Sequence, residues 1–154
     1  MQSNLKKLVT AALFAALACV ATMSIRIPTP GTNGYIHPGD ALVILAGVFL
    51  GPAWGLLAAG IGSAMADLIG GYFLYVPVTF VIKGAVACLA GFLYRNIGRT
   101  AKSCYVSVIL GGVADIVLVA GGYFLCEYVI YGPGAAASVP ANVIQGVSGL
   151  AISL

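Results

Sequence analysis

Charge is what this sequence has least of. Four acidic and seven basic side chains among 154 residues leave 7% charged against 61% hydrophobic. The mean hydropathy of +1.07 lies far outside the range of soluble domains, because a chain this short has no interior large enough to hide that much apolar surface. There is a single histidine, which excludes a histidine-rich metal site. The four cysteines (Cys19, Cys88, Cys104 and Cys126) form no CxxC pair and read as small buried apolar residues. No Ser-His-Asp set, phosphate-cradling glycine loop or basic nucleic-acid patch occurs. The expectation is a protein that is not an enzyme, carries no metal or cofactor and binds no nucleic acid.

What is abundant is long, continuous apolar sequence. A bilayer core takes about 20 apolar residues per helix, and only helices or closed barrels satisfy the backbone inside it. The runs do not alternate as barrel strands do. The expectation is therefore an all-α integral membrane bundle, one domain over 1–154, with six transmembrane helices at about 5–24, 38–51, 53–70, 77–94, 105–130 and 138–154. Pro28, Pro30, Gly31 and Gly34 mark a loop after the first helix, Gly70-Gly71 ends the third, and Gly132-Pro133-Gly134 closes the fifth. Lys6 and Lys7 before an apolar run resemble a secretion signal, but everything downstream is equally apolar, so the run reads as the first span. The second helix, about 14 residues, is the shortest. The last is still apolar at Leu154, so the native chain is expected to run a few residues further.

The few basic residues orient this bundle. Lys6, Lys7, Arg95, Arg99 and Lys102 fall on one side if four helices separate the two clusters, which places both termini in the cytoplasm. Loops 25–37, 71–76 and 131–139 then face outward. Small residues recur every fourth position, as in Gly47/Gly51/Gly55, Ala58/Gly62/Ala66 and Ala87/Gly91, and read as close helix packing. The alanine-rich first helix offers a smooth face fit to dock a partner subunit.

Charges inside apolar segments mark candidate function, since each is costly unless paired or hydrated. Asp40 lies about 3 Å below the outer end of its helix, Asp67 about 6 Å, Lys83 about 9 Å and Glu127 about 5 Å, at a rise of ~1.5 Å per residue. Tyr123 sits one turn below Glu127 on the same face, and Asn142 and Gln145 share a face of the last helix. The first outer loop adds Asn33, Tyr35 and His37. Together these describe a pocket in the outer third of the membrane, with a cation, carboxylates, amides and aromatic faces suited to a polar heteroaromatic molecule. Asp115 lies deeper and fits the cluster poorly; it reads as a structural polar residue.

The stretches Gly34-Tyr-Ile-His-Pro-Gly-Asp40, Gly62-Ser-Ala-Met-Ala-Asp67, Thr79-Phe-Val-Ile-Lys83-Gly84, Gly122-Tyr123-Phe-Leu-Cys-Glu127 and Pro140-Ala-Asn142-Val-Ile-Gln145 carry a resemblance. In that order, over nearly the whole chain, they are similar to the substrate-binding S components of energy-coupling factor (ECF) vitamin transporters. The resemblance implies a prokaryotic cytoplasmic-membrane protein of six helices with an outward site under a gating first loop. It also implies a transmembrane T subunit and two ATPase subunits as partners, which supply the energy. Ala12 and Ala16 match the family's AxxxA docking pattern on helix 1, and Ala11/Ala15 fit the same spacing.

The reading is thus a binding subunit for vitamin uptake, with a vitamin B6-type compound first, hydroxymethylpyrimidine second and riboflavin third. Asp67, Lys83, Tyr123, Glu127, Asn142 and Gln145 are its expected ligand contacts, and Tyr35, His37 and Asp40 the loop-side wall. Lys83 is expected to meet an anionic or phenolic oxygen. A stand-alone proton-coupled carrier and an assembly subunit without a ligand are the alternatives.

Overall fold

A computed structural model describes residues 2–29, 34–98 and 100–154; Asn33, Pro30, Gly31 and Arg99 of the sequence reading lie outside them. Among the described residues the chain forms six α-helices: α1 (Gln2–Ser24), α2 (Asp40–Leu50), α3 (Pro52–Gly70), α4 (Tyr75–Ile97), α5 (Ala101–Tyr131) and α6 (Val139–Ser153). A 3-10 turn, Gly132–Ser138, joins α5 to α6. Between α1 and α2 two short antiparallel strands, β1 (Ile27–Pro28) and β2 (Tyr35–Ile36), pair Ile27 with Ile36 and Pro28 with Tyr35.

Each boundary has a local cause. Pro52 opens α3 at a position whose N–H needs no helical partner. Gly71, left-handed at φ 82°, caps α3 by donating its N–H to the carbonyls of Asp67 and Leu68. Thr100 and Ser103 cap α5 reciprocally, each side chain accepting the other's backbone N–H. α4 begins at Tyr75, ahead of Pro77, because a proline in the first turn is tolerated.

The bundle exposes large apolar side chains and buries most of its charged and polar ones beside an apolar core. Val9, Leu13, Phe49, Val117, Leu125 and Val129 are exposed, while Asp40, Ser63, Lys83, Ser107, Asp115 and Ser138 are wholly buried. That inversion suits a hydrocarbon solvent. By length and composition four stretches are able to cross a membrane: Asn4–Ser24, Pro52–Gly70, Tyr75–Ile97 and the long Lys102–Ser153, which holds both α5 and α6. α2, with 11 residues, is only about 16 Å long, roughly half a bilayer core.

α2 fits between α3 and α4 because glycine lines the seams. A Cβ on Gly47 would lie 2.1 Å from the Ala87 carbonyl oxygen, and one on Gly91 2.6 Å from the Gly47 carbonyl oxygen. Gly55 meets Gly47 just as closely. Backbone thus touches backbone across three helices, and no side chain there is free to yield. Gly47→Ala is therefore expected to destabilise the bundle by about 1–3 kcal/mol, read as a lower thermal midpoint in detergent.

Candidate functional site

Polar side chains from four helices and the first loop converge at the end of the bundle where that loop, residues 71–74 and the 3-10 segment meet. They line a tight cavity whose free space is about 20 Å³, room for little more than one water molecule. Tyr75 and Thr79 from α4, Tyr123 and Glu127 from α5, Asn142 and Gln145 from α6, and Asp67 from α3 line it. Thr29, Gly34, Tyr35 and His37 close it from the loop. An open cleft formed by Tyr72, Phe73, Leu74 and Tyr131 shares Gly34 and Tyr75 with the cavity and leads to the surface.

The wall is built from hydrogen-bonded pairs. The Tyr35 hydroxyl donates to Asp67 Oδ1 at 2.7 Å. The Tyr75 hydroxyl donates to Glu127 Oε1 at 3.0 Å, and the Ser138 hydroxyl donates to Glu127 Oε2. The Thr79 and Tyr123 hydroxyls share a hydrogen bond of 2.8 Å. His37 uses its backbone N–H on Gln145 Oε1 (3.0 Å), and its Nδ1 accepts from the Gly39 N–H (3.1 Å), which leaves the ring proton on Nε2.

Aromatic packing fastens the loop. The Arg26 guanidinium lies 4.8 Å from the Tyr35 ring centroid and 5.7 Å from that of Tyr72, and Nη2 donates to the Ala66 carbonyl at 3.2 Å. Tyr35 and Tyr72 are themselves tilted rings 4.6 Å apart. Arg26 thereby ties the loop to the end of α3, where Gly70 leaves room for it.

Beneath the cavity lies a second polar layer. Lys83 forms an ion pair with Asp40 Oδ1, and both side chains are completely buried. Gln145 Nε2 donates to Asp40 Oδ2 at 2.8 Å. Gln145 therefore bridges the loop, through His37, to the ion pair. Lys83 and Asp40 are absent from the cavity lining. Here the structure corrects the sequence reading: the lysine is committed to a carboxylate instead of facing a ligand oxygen. Its partner is Asp40.

Asp115 too is absent from the cavity lining. Asp40 begins a half-length helix, so it sits far deeper than a count from the outer end of a full span implies. It reaches the level of Asp115, whose carboxyl faces Asp40 and Lys83. The remaining expected contacts, Tyr35, His37, Asp67, Tyr123, Glu127, Asn142 and Gln145, come together around one cavity. Sequence reasoning missed Tyr75, Thr79, Thr29, Arg26 and Ser138. A signal for two of them existed, since Tyr75, Thr79 and Lys83 recur at four-residue spacing and form one polar stripe on α4.

On the opposite flank, Ala12 and Ala16 are exposed on α1, whereas Ala11 is buried and Ala15 half-buried. Gly62 of α3 packs against the Ala15 backbone.

These features define a class: a helical membrane bundle with a small enclosed polar pocket at one end. The family model for the S component of the ECF-type riboflavin transporter matches residues 2–154, and the chain belongs to that family. An uncharacterised protein in the gap 3′ region of Pyrococcus woesei is 40% identical over 134 residues, 86% of each chain. The thiamine precursor transporter HmpT of Lactococcus lactis subsp. cremoris is 27% identical over 152 residues, 97% of this chain and 84% of its own. A solved structure described as the S component of a bacterial ECF transporter aligns over 97% of this chain and 92% of its own, with a TM-score of 0.68 at 23% identity. S components are substrate-binding transport subunits of the membrane rather than enzymes.

The Asp40–Lys83 pair gives a direct expectation. Lys83→Met leaves a buried carboxylate unpaired and is expected to cost about 3–5 kcal/mol, read as a collapse of the thermal midpoint. Adding Asp40→Asn is expected to recover part of that loss.

Proposed function

We propose that this chain is the capture subunit for a single-ring, nitrogen-bearing vitamin or vitamin precursor, an aminopyrimidine of the hydroxymethylpyrimidine type before a vitamin B6-type compound. The observation that carries this is the charge of the wall. Two carboxylates, Asp67 and Glu127, line the cavity, while the buried cation Lys83 does not. Such a wall favours amino and ring N–H donors, with Asn142 and Gln145 pairing to ring nitrogens and hydroxymethyl groups. A phenolate oxygen, the group that distinguishes a B6-type compound, finds no lysine to meet it. The cavity is tight, with free space of about 20 Å³, and a single ring asks for less rearrangement of its wall than the three fused rings of riboflavin. The name of the Lactococcus lactis relative, a thiamine precursor transporter, supports the same ordering.

In this reading six helices cross the cytoplasmic membrane, α2 completing its passage with loop residues 34–39. Both termini and the 95–102 loop face the cytoplasm. A T subunit and two ATPase subunits supply the energy, and the T subunit docks on the exposed Ala12/Ala16 face of α1. Ala11 and Ala15 belong to the internal packing against α3.

A ligand that binds only the folded state raises the thermal midpoint. The expected result is a clear shift with hydroxymethylpyrimidine, a smaller one with pyridoxine and none with riboflavin. A larger shift with riboflavin overturns the proposal. Glu127→Gln is expected to weaken binding about 10- to 100-fold, the worth of one charge-assisted hydrogen bond, with the midpoint of the empty protein little changed. Ala12→Leu with Ala16→Leu is expected to leave binding intact and abolish uptake by cells expressing the full transporter. Normal uptake would remove that face from the docking role.

A further inference from the structure

The deepest ionisable group of the bundle takes no part in the pocket. Asp115 lies on α5 in line with Val119, Tyr123 and Glu127, three turns below Glu127, and none of its side chain is exposed. Among the described residues no hydrogen-bond donor reaches either of its oxygens. What faces it is a second acceptor, the Asp40 carboxylate from α2, within hydrogen-bonding reach, with Lys83 of α4 beyond. From α6 Gly146 packs beside it, where a Cβ would lie 3.3 Å from Asp115 Oδ2. Gly149, one turn further, gives Asp40 its space in the same way. Two glycines of one helix face thus hold a closed chamber around two carboxyl groups and one ammonium.

The charges in that chamber do not balance if both acids are ionised. Lys83 is already paired with Asp40, and α6 supplies no cation there. A second carboxylate would leave a net negative charge sealed from water, which a low-dielectric interior disfavours strongly. Two carboxyl groups in contact resolve this by sharing one proton. The orphaned oxygens have the same explanation: two carboxylates cannot bond to each other, whereas an acid and a carboxylate can.

We propose that Asp115 is a proton-binding site, held as an un-ionised carboxylic acid whose O–H donates to Asp40. The proton completes the shell of Asp40, which then receives Lys83 and Gln145 on one side and Asp115 on the other. Asp115 is accordingly a positioning residue for the pocket. It fixes Asp40, Asp40 fixes Gln145, and Gln145 holds His37 and the loop. Ionised, Asp115 would compete with Asp40 for Lys83 and loosen that chain of contacts.

The test needs no ligand and is therefore independent of which vitamin the pocket accepts. Infrared spectra of the purified chain in detergent at neutral pH, with and without carbon-13 in the aspartate carboxyls, are expected to show the carbonyl band of an un-ionised aspartic acid. The band is expected to disappear in Asp115→Asn and persist in Asp67→Asn. In the unmodified chain, raising the pH until the band vanishes is expected to lower the thermal midpoint over the same interval, and Asp115→Asn, which keeps a neutral donor, is expected to lack that step. Absence of any aspartic-acid band at neutral pH overturns the proposal whatever the variants do. So does a difference spectrum in which Asp115→Asn loses a carboxylate band.

Discussion

The bond between Lys83 and Asp40 is the constraint on which the rest of this structure turns. Both groups are sealed from solvent, and in a bundle surrounded by hydrocarbon neither has anywhere else to put its charge. Because Asp40 opens α2, the pair fixes where that short helix starts. Because Asp40 also binds Gln145, the pair sets the rotation of α6. Gln145 then holds the backbone of His37, so the loop that closes the cavity is anchored to the same point. One ion pair thus places four segments of chain, and the ligand-facing residues inherit their positions from it.

The cavity above is organised differently. Each of its carboxylates is held by neutral hydroxyls, Asp67 by Tyr35 and Glu127 by Tyr75 and Ser138. Hydroxyls orient a carboxylate without supplying a counter-charge, and Arg26 of the loop, stacked on Tyr35, is a cation beside Asp67. The division into an ion-paired layer below and a hydroxyl-held layer above thus gives the site its character. It is also why the preferred ligand reading moves towards amino-bearing rings.

Much of this was legible in the sequence. Hydropathy, proline and glycine positions located the helices, and the rule that buried charge signals function picked out Asp67, Glu127, Asn142 and Gln145. What stayed hidden were consequences of depth. Counting residues from the outer end of a helix presumes that every helix starts at the same level, and α2 does not. That one difference hid the partnership of Asp40 with Lys83 and made Asp115 look isolated. Tyr75 and Thr79 were missed for another reason. Hydroxyls on an apolar helix attract little notice unless their spacing is compared with that of a charged residue on the same face. Arg26 sits in a proline- and glycine-rich loop, where no periodicity reveals what a side chain stacks upon.

The stack of Arg26 on Tyr35 and Tyr72 gives one ring two roles. Tyr35 is at once part of the loop's fastening and part of the cavity wall, through its bond to Asp67. A displacement of that one ring would unfasten the loop and unmake part of the wall together.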